Sequence, residues 1–338
     1  MIIVLFKGGM GNQMFQYAFY KKLSTLFNDV KIDNITYYYF DKTHNAYCLD
    51  GIFSIDTKIA TVDEIIALTG YKKIKKNVNH IDKHGDKIHN IRKPLYKKLT
   101  RFLLYMNPAV RRRLLIRLAK DKLCISYGND FFISKTYYLE QGNVYYGEYT
   151  KNVDMYYDGY WQDVRYFDDI RDDILKDYSF NKKLTGKNLE ISKKIANIEK
   201  QAISIHVRRG DYKGFKIHDI CLSIDYYEKA VKEIEERVDN VHYFVFSDDI
   251  EWVQESFEFL YDKECVYVDW NKGIDSYIDM QLMSLCKHNI IANSTFSWWG
   301  AYLNKNPNKI ILSPKYQNKP QKIEMLSLPK DFNVLILD

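Results

Sequence analysis

The chain has 338 residues, of which 46% are hydrophobic and 28% charged, with a formal net charge of +6. That length exceeds one ordinary core and predicts about two domains, and that balance excludes a disordered or fibrous chain. Five cysteines without a Cys-x-x-Cys pair argue against a disulfide scaffold or a structural zinc, and no apolar run reaches the length of a membrane span.

In chain order, Ile2 to Phe6 reads as a first β-strand, too short for a signal peptide, so a cytoplasmic protein is expected. Lys7-Gly8-Gly9-Met10-Gly11-Asn12 reads as a tight loop, and a helix is predicted from about Gln13 through Phe15, Tyr17, Ala18 and Leu23. Residues 55 to 150 read as helical and irregular. Within them, Tyr71 to Lys122 carries 17 Lys and Arg against three Asp. That patch reads as solvated amphipathic helices, as a surface lying on an anionic membrane, or as a nucleic-acid contact. Tyr145 to Tyr166 is an aromatic-rich connection that contains Gly159-Tyr160-Trp161-Gln162. The 29 Tyr and 5 Trp offer flat faces with polar edges, which suits sugar binding, although AT-rich coding produces the same bias.

The second half is more regular. Strands are predicted at Ala202 to Val207, Val241 to Phe246, Cys265 to Val268, Asn289 to Ala292 and Ile310 to Leu312, the last stopped by Pro314. Between them lie a helix capped by Asp225 with Tyr227, Ala230, Val231 and Ile234 at helical spacing, a short helix through Trp252, and a helix from Ser276 to Cys286. A further helix is expected at Trp298. Strands alternating with helices imply a parallel, doubly wound sheet. The composition places the domain break near 184 to 195, giving domains of about 1–190 and 191–338.

Ligands of open α/β sheets bind at the carboxyl ends of the strands. His206-Val207-Arg208-Arg209-Gly210-Asp211-Tyr212 lies at one such end. Two adjacent guanidiniums there suit a diphosphate; an Arg–Asp ion pair on an ordinary loop is the plainer alternative. Ser247-Asp248-Asp249 lies at another strand end, where a carboxylate either takes the two donors of a guanine edge or caps a helix. Asn293-Ser294-Thr295-Phe296-Ser297-Trp298-Trp299-Gly300 ends a third strand and opens a helix, where hydroxyls and unpaired N–H groups suit an anion. The two tryptophans read as packing. Gly8-Gly9-Met10-Gly11-Asn12 looks like a phosphate loop but matches neither Walker A nor Gly-x-Gly-x-x-Gly; a cleft wall or a plain strand-to-helix turn are the other readings. No Asp-x-Asp occurs, so arginine rather than a metal ion is expected to neutralise the diphosphate.

These blocks resemble the α-1,2-fucosyltransferases of glycosyltransferase family 11. Gly8 to Ala18 looks like that family's first block, His206 to Tyr212 its central one, and Phe246 to Asp249 and Asn293 to Gly300 its later ones. The resemblance implies an α/β fold of the GT-B type, with two Rossmann-like doubly wound domains facing a cleft. It implies GDP-β-L-fucose as donor, a galactose-terminated glycan as acceptor, inversion to an α-linkage, and no cofactor or metal. Arg208 then holds the β-phosphate with help from Arg209. His206, Asp248 and Asp249 lie near guanine and ribose, Ser294 and Thr295 bind phosphate oxygens, and Gly9, Gly11 and Asn12 form the first block's contact with substrate. Gly159 to Phe167 departs from the family's usual block at several positions, and Lys216 stands where α-1,6 relatives have a glutamate. The general base is therefore left among Asp211, His218 and Asp219. Another linkage or GDP-sugar, or a non-catalytic carbohydrate- or nucleotide-binding module, are the rival readings. Membrane contact through 71–122 is expected to be peripheral.

Overall fold

The computed structural model describes residues 1–37, 48–69, 125–127, 130–134, 137–140, 145, 154–210, 212 and 220–338. The chain forms two compact units. Unit 1 is Met1–Gly9, Gln13–Tyr47 and Asp56–Phe167; unit 2 is Met10–Asn12, Cys48–Ile55 and Asp168–Asp338. The second unit thus takes in residues 168–190, which the composition groups with the first domain. The basic stretch 71–122 lies outside the described residues, as do Asp211, His218 and Asp219.

Unit 1 is built on β1 (Ile2–Leu5), β2 (Val30–Asp33), β3 (Ile125–Tyr127), β4 (Asp130–Ser134), β5 (Tyr137–Leu139) and β6 (Met155–Asp158). The sheet order is β2-β1-β6-β5-β4-β3. The first four in that order are mutually parallel, while β4 is antiparallel to both of its neighbours. Two expectations are corrected here. The region read as helical holds three strands, and the aromatic connection holds a fourth, β6, which pairs with both β1 and β5. Strands of three to five residues are too short to show a period against so aromatic a background.

Helix α1 (Met10–Leu26) begins three residues earlier than expected, with Gly9 as its N-cap. It is buried on most sides: Met14, Phe15, Tyr17, Ala18, Phe19 and Leu23 are all core. Helix α2 (Val62–Thr69) comes next, with Ile65 and Leu68 packed against Ile3, Leu5 and Tyr156.

Unit 2 carries β7 (Gln201–Val207), β8 (Val241–Ser247), β9 (Cys265–Val268), β10 (His288–Ile290), β11 (Ile310–Pro314) and β14 (Asn333–Leu337), with a small hairpin, β12 (Tyr316–Asn318) and β13 (Ile323–Glu324), between the last two. The order is β14-β11-β10-β7-β8-β9 and every pairing is parallel. Numbered within the unit this is 6-5-4-1-2-3, the doubly wound arrangement of dinucleotide-binding sheets.

Its helices are α3 (Arg171–Asp177), α4 (Gly186–Asn197), α5 (Ile224–Glu235), α6 (Ile250–Ser256), α7 (Tyr277–Leu285) and α8 (Thr295–Tyr302). Residues 202 to 207 of β7 are buried on both faces, as a strand between two helical layers must be. Ile203, Ile205 and Val207 pack with Tyr227, Ala230, Val231 and Ile234 of α5. Ser204 and His206 alternate to the other face, where Ser204 Oγ accepts from Asn289 Nδ2 at 2.7 Å. Ser223, not Asp225, occupies the N-cap of α5; Asp225 sits in the first turn, where its charge suits the helix dipole.

Among the described residues the four cysteines are free, only Cys286 being fully buried, and no helix is long and apolar enough to cross a membrane.

Candidate active site

The connection from β7 leads to β8 on one side of the sheet, and that from β10 leads to β11 on the other. The carboxyl ends of these two neighbours therefore flank the topological switch point, where doubly wound sheets bind ligands. Three of the blocks singled out in the sequence come to this edge. Arg208 and Arg209 follow β7, Asn293 to Thr295 follow β10, and Ser247 to Asp249 end β8, in register with Val207.

Each arginine is matched by its own aspartate. Arg208 Nη1 lies 2.8 Å from Asp248 Oδ2, and Arg209 Nε lies 3.1 Å from Asp249 Oδ2. The Arg209 backbone N–H donates to Asp248 Oδ1 at 2.9 Å. The Arg209 guanidinium also lies 3.4 Å from the ring centroid of Trp252, one turn into α6, and Arg208 lies 5.7 Å from that of Tyr212. Such pairing and stacking cut the entropy of two long side chains and aim their planar forks. The two adjacent guanidiniums are therefore each paired with a carboxylate and pre-positioned. Asp248 and Asp249 serve here as the groups that position them. Asp249 makes no side-chain cap on α6; its N–H instead donates to Ser247 Oγ at 2.9 Å.

His206 is 6% exposed, and its Nδ1 has no hydrogen-bond partner. Its ring stands 5.5 Å from that of Phe296 in the first turn of α8. Burial pushes the imidazole down to about 4; Asp248 pulls it up and Arg208 pushes it down, with burial prevailing. His206 is thus a neutral hydrogen-bonding group at physiological pH. Ser294 caps α8, its Oγ accepting from the Phe296 N–H at 3.2 Å. Thr295 Oγ1 donates to Asn12 Oδ1 at 3.2 Å.

Asn293 was not singled out individually in the sequence. Its Nδ2 donates to Ile220 O at 2.8 Å and to Gln317 O of β12 at 2.9 Å, while its buried Oδ1 has no partner. Two buried, unpartnered polar atoms therefore belong to the residues that end β7 and follow β10. An unmade hydrogen bond in such a place is costly unless a ligand completes it. Trp252 and Tyr212 were likewise not separately predicted; the only signal for Trp252 was its position three residues after Asp249.

Within the glycine block, Gly11 makes a close packing contact. A Cβ on Gly11 would lie 2.6 Å from Thr295 Oγ1, 2.8 Å from Thr295 C and 2.9 Å from Phe296 N. The Gly11 carbonyl accepts from Trp299 Nε1 at 3.0 Å. Gly11 is therefore the point where the first turn of α1 lies directly on the start of α8. Gly9 caps α1 and Asn12 meets Thr295. Trp298 and Trp299 are fully buried, in agreement with a packing role.

The model of one protein family, glycosyl transferase family 11, matches residues 1–327. The chain belongs to this family. It is 42% identical over 163 residues to the O-antigen biosynthesis glycosyltransferase WbnK of Escherichia coli, covering 46% of this chain and 53% of that protein. It is 36% identical over 161 residues to an α-1,2-colitosyltransferase of Escherichia coli, with the same shares. To the galactoside 2-α-L-fucosyltransferase Sec1 of Mus musculus it is 28% identical over 123 residues, 35% of this chain and 33% of that one. The chain spans about half the length of the first two of these curated relatives. Among solved structures it is similar to NodZ α-1,6-fucosyltransferase soaked with GDP-fucose, with a TM-score of 0.48 at 12% identity, covering 89% of this chain and 92% of that one. That likeness is too loose to carry chemistry across.

Proposed function

We propose that this protein transfers L-fucose from GDP-β-L-fucose to the 2-hydroxyl of a galactoside, on a glycan or a lipid-linked O-antigen type glycan, with inversion and without a metal ion. The observation that carries this reading is the pair of guanidiniums, each steadied by its own aspartate, at the switch point of a doubly wound sheet in a family 11 chain. Arg208 is assigned to the β-phosphate with Arg209 beside it, Ser294 and Thr295 to phosphate oxygens, and His206 to the nucleoside as a neutral partner. Units 1 and 2 are read as the acceptor-side and donor-side domains of a GT-B enzyme. Attachment to an anionic membrane through residues 71–122 is part of the proposal, and binding to anionic vesicles at low salt tests it.

In the reaction the galactoside O2 attacks fucose C1 from the face opposite GDP. The bond from C1 to the β-phosphate oxygen breaks, and GDP departs with the electron pair. The hydroxyl proton passes to a base, for which Asp211 and His218 are proposed with Asp219 as an alternative. Electrostatic stabilisation of the leaving diphosphate is the protein's main contribution.

A second donor, a colitose nucleotide, is kept in view because the 36% identical relative is named for colitosyl transfer. The test is an acceptor screen with both donors against lactose and N-acetyllactosamine, with the product linkage read by NMR. An α-1,2-fucosylated galactose is expected. GDP binding without turnover on any galactoside would favour a binding module instead.

A further inference from the structure

The family-like block around Gly159 lies in unit 1, where its backbone is held by several specific contacts. Strands β1 and β6, first and last of that sheet in chain order, are parallel neighbours with Val4 opposite Tyr157. No crossover within the sheet joins them, because β1 leads to β2. Their carboxyl ends lie along the edge at which open α/β sheets take ligands. Lys7 stands just past β1, and Asp158 ends β6 ahead of Gly159, Tyr160 and Trp161.

Tyr160 is exposed, at 38%, among neighbours that are not. Lys7 Nζ lies 4.5 Å from its ring centroid and 2.7 Å from Asp158 Oδ1. Burial pulls this ammonium down, but Asp158 and Tyr160 outweigh it and hold it above its ordinary value, so it stays charged. The Lys7 side chain is itself almost fully buried, so the cation seats the ring while the Tyr160 residue keeps its exposure.

The backbone beneath is fixed on every side. The N–H groups of Tyr160 and Trp161 both donate to Glu140 Oε2, and Gln16 Nε2 donates to Gly159 O at 3.2 Å. A Cβ on Gly159 would lie 2.6 Å from that same Glu140 oxygen. Trp161 takes a left-handed φ of 55°, sparsely populated by so large a residue, and is anchored by stacking on Phe19 at 4.1 Å.

We infer that Tyr160 is the stacking platform for the acceptor's galactosyl ring and that Lys7, Glu140 and Trp161 hold it in place. This rests on the galactoside acceptor proposed above. A galactopyranose has an axial 4-hydroxyl, so C3–H, C4–H and C5–H gather on one apolar face that fits a flat ring; a glucoside, with its 4-hydroxyl equatorial, presents that face less fully. A rigid aromatic platform binds such a face at little entropic cost.

The experiment compares Tyr160→Ala and Tyr160→Phe with wild type, each first shown by thermal melting to be folded. Tyr160→Ala is expected to raise KM for lactose about tenfold, with donor KM and acceptor-independent donor hydrolysis unchanged, while Tyr160→Phe stays within about twofold. Saturation-transfer NMR with methyl β-galactoside and methyl β-glucoside gives a readout that needs no donor. Wild type is expected to bind the galactoside preferentially and Tyr160→Ala to lose that preference. An unchanged lactose KM, an equal rise in donor KM, or undiminished galactoside binding by Tyr160→Ala would overturn the inference. Failure of the donor assignment would appear separately, as absent transfer from either nucleotide sugar with galactoside binding intact.

Discussion

Gly11→Ala separates a packing glycine from a phosphate-loop glycine. The added Cβ would sit 2.6–2.9 Å from Thr295 Oγ1, Thr295 C and Phe296 N. The last two are backbone at the start of α8 and cannot swing aside, so the first turn of α1 or the start of α8 must shift. Overpacking of this kind costs about 1–3 kcal/mol. Replacing a helical glycine by alanine returns roughly 0.5–1 kcal/mol, leaving a net loss of up to about 2.5 kcal/mol. For a unit of this size that is a fall in Tm of up to about 10 °C. Scanning calorimetry measures it, and GDP titration of the same variant should show weaker binding, because α8 carries Ser294 and Thr295 at its start. A variant with unchanged Tm but weakened GDP binding would mean that Gly11 meets the ligand rather than the helix. A variant more stable than wild type would refute the close packing altogether.

Other consequences arise from the charges. His206, held neutral by burial with its value lowered to about 4, should show no imidazole titration by NMR between about pH 5.5 and 8; a midpoint near the ordinary histidine value would contradict this. Asp279, in the first turn of α7, accepts from Asn271 Nδ2 at 2.7 Å, and burial pushes its carboxyl up to about 7. The folded state then keeps a proton that the unfolded state releases above about pH 4, so this group's share of stability falls as pH rises from about 4 to 7, by up to about 1.4 kcal/mol per pH unit. Asp279→Asn should therefore gain Tm relative to wild type across that window, and parallel curves would show that the carboxyl is not perturbed. Transfer should continue in EDTA; loss of activity restored by manganese would place a metal ion where arginine is proposed.

The second half of the chain was more legible because its strands β7 and β8 run seven residues each and are largely apolar. Ala202 to Val207 and Val241 to Phe246 match β7 and β8 almost to the residue, and each motif falls at a strand's carboxyl end as periodicity required. The first half was less so. Unit 1 completes its sheet with β3, β4, β5 and β6, short strands whose tyrosines and phenylalanines are indistinguishable from the chain's overall aromatic bias. Partnerships across long sequence separations were also out of reach. Nothing local says that Asp248 grips Arg208, that Gly11 abuts Thr295 or that Lys7 underlies Tyr160, since these contacts are set by strand order.

The central claim is that Arg208, positioned by Asp248, holds the donor's diphosphate at the β7–β10 switch point. Calorimetric titration of GDP and of guanosine into wild type and Arg208→Ala tests it most directly. Loss of one charge-assisted bond, worth roughly 1.5–3 kcal/mol, should weaken GDP roughly 10–150-fold and leave guanosine within about twofold. GDP affinity equal to wild type, or guanosine weakened as much as GDP, would contradict the account.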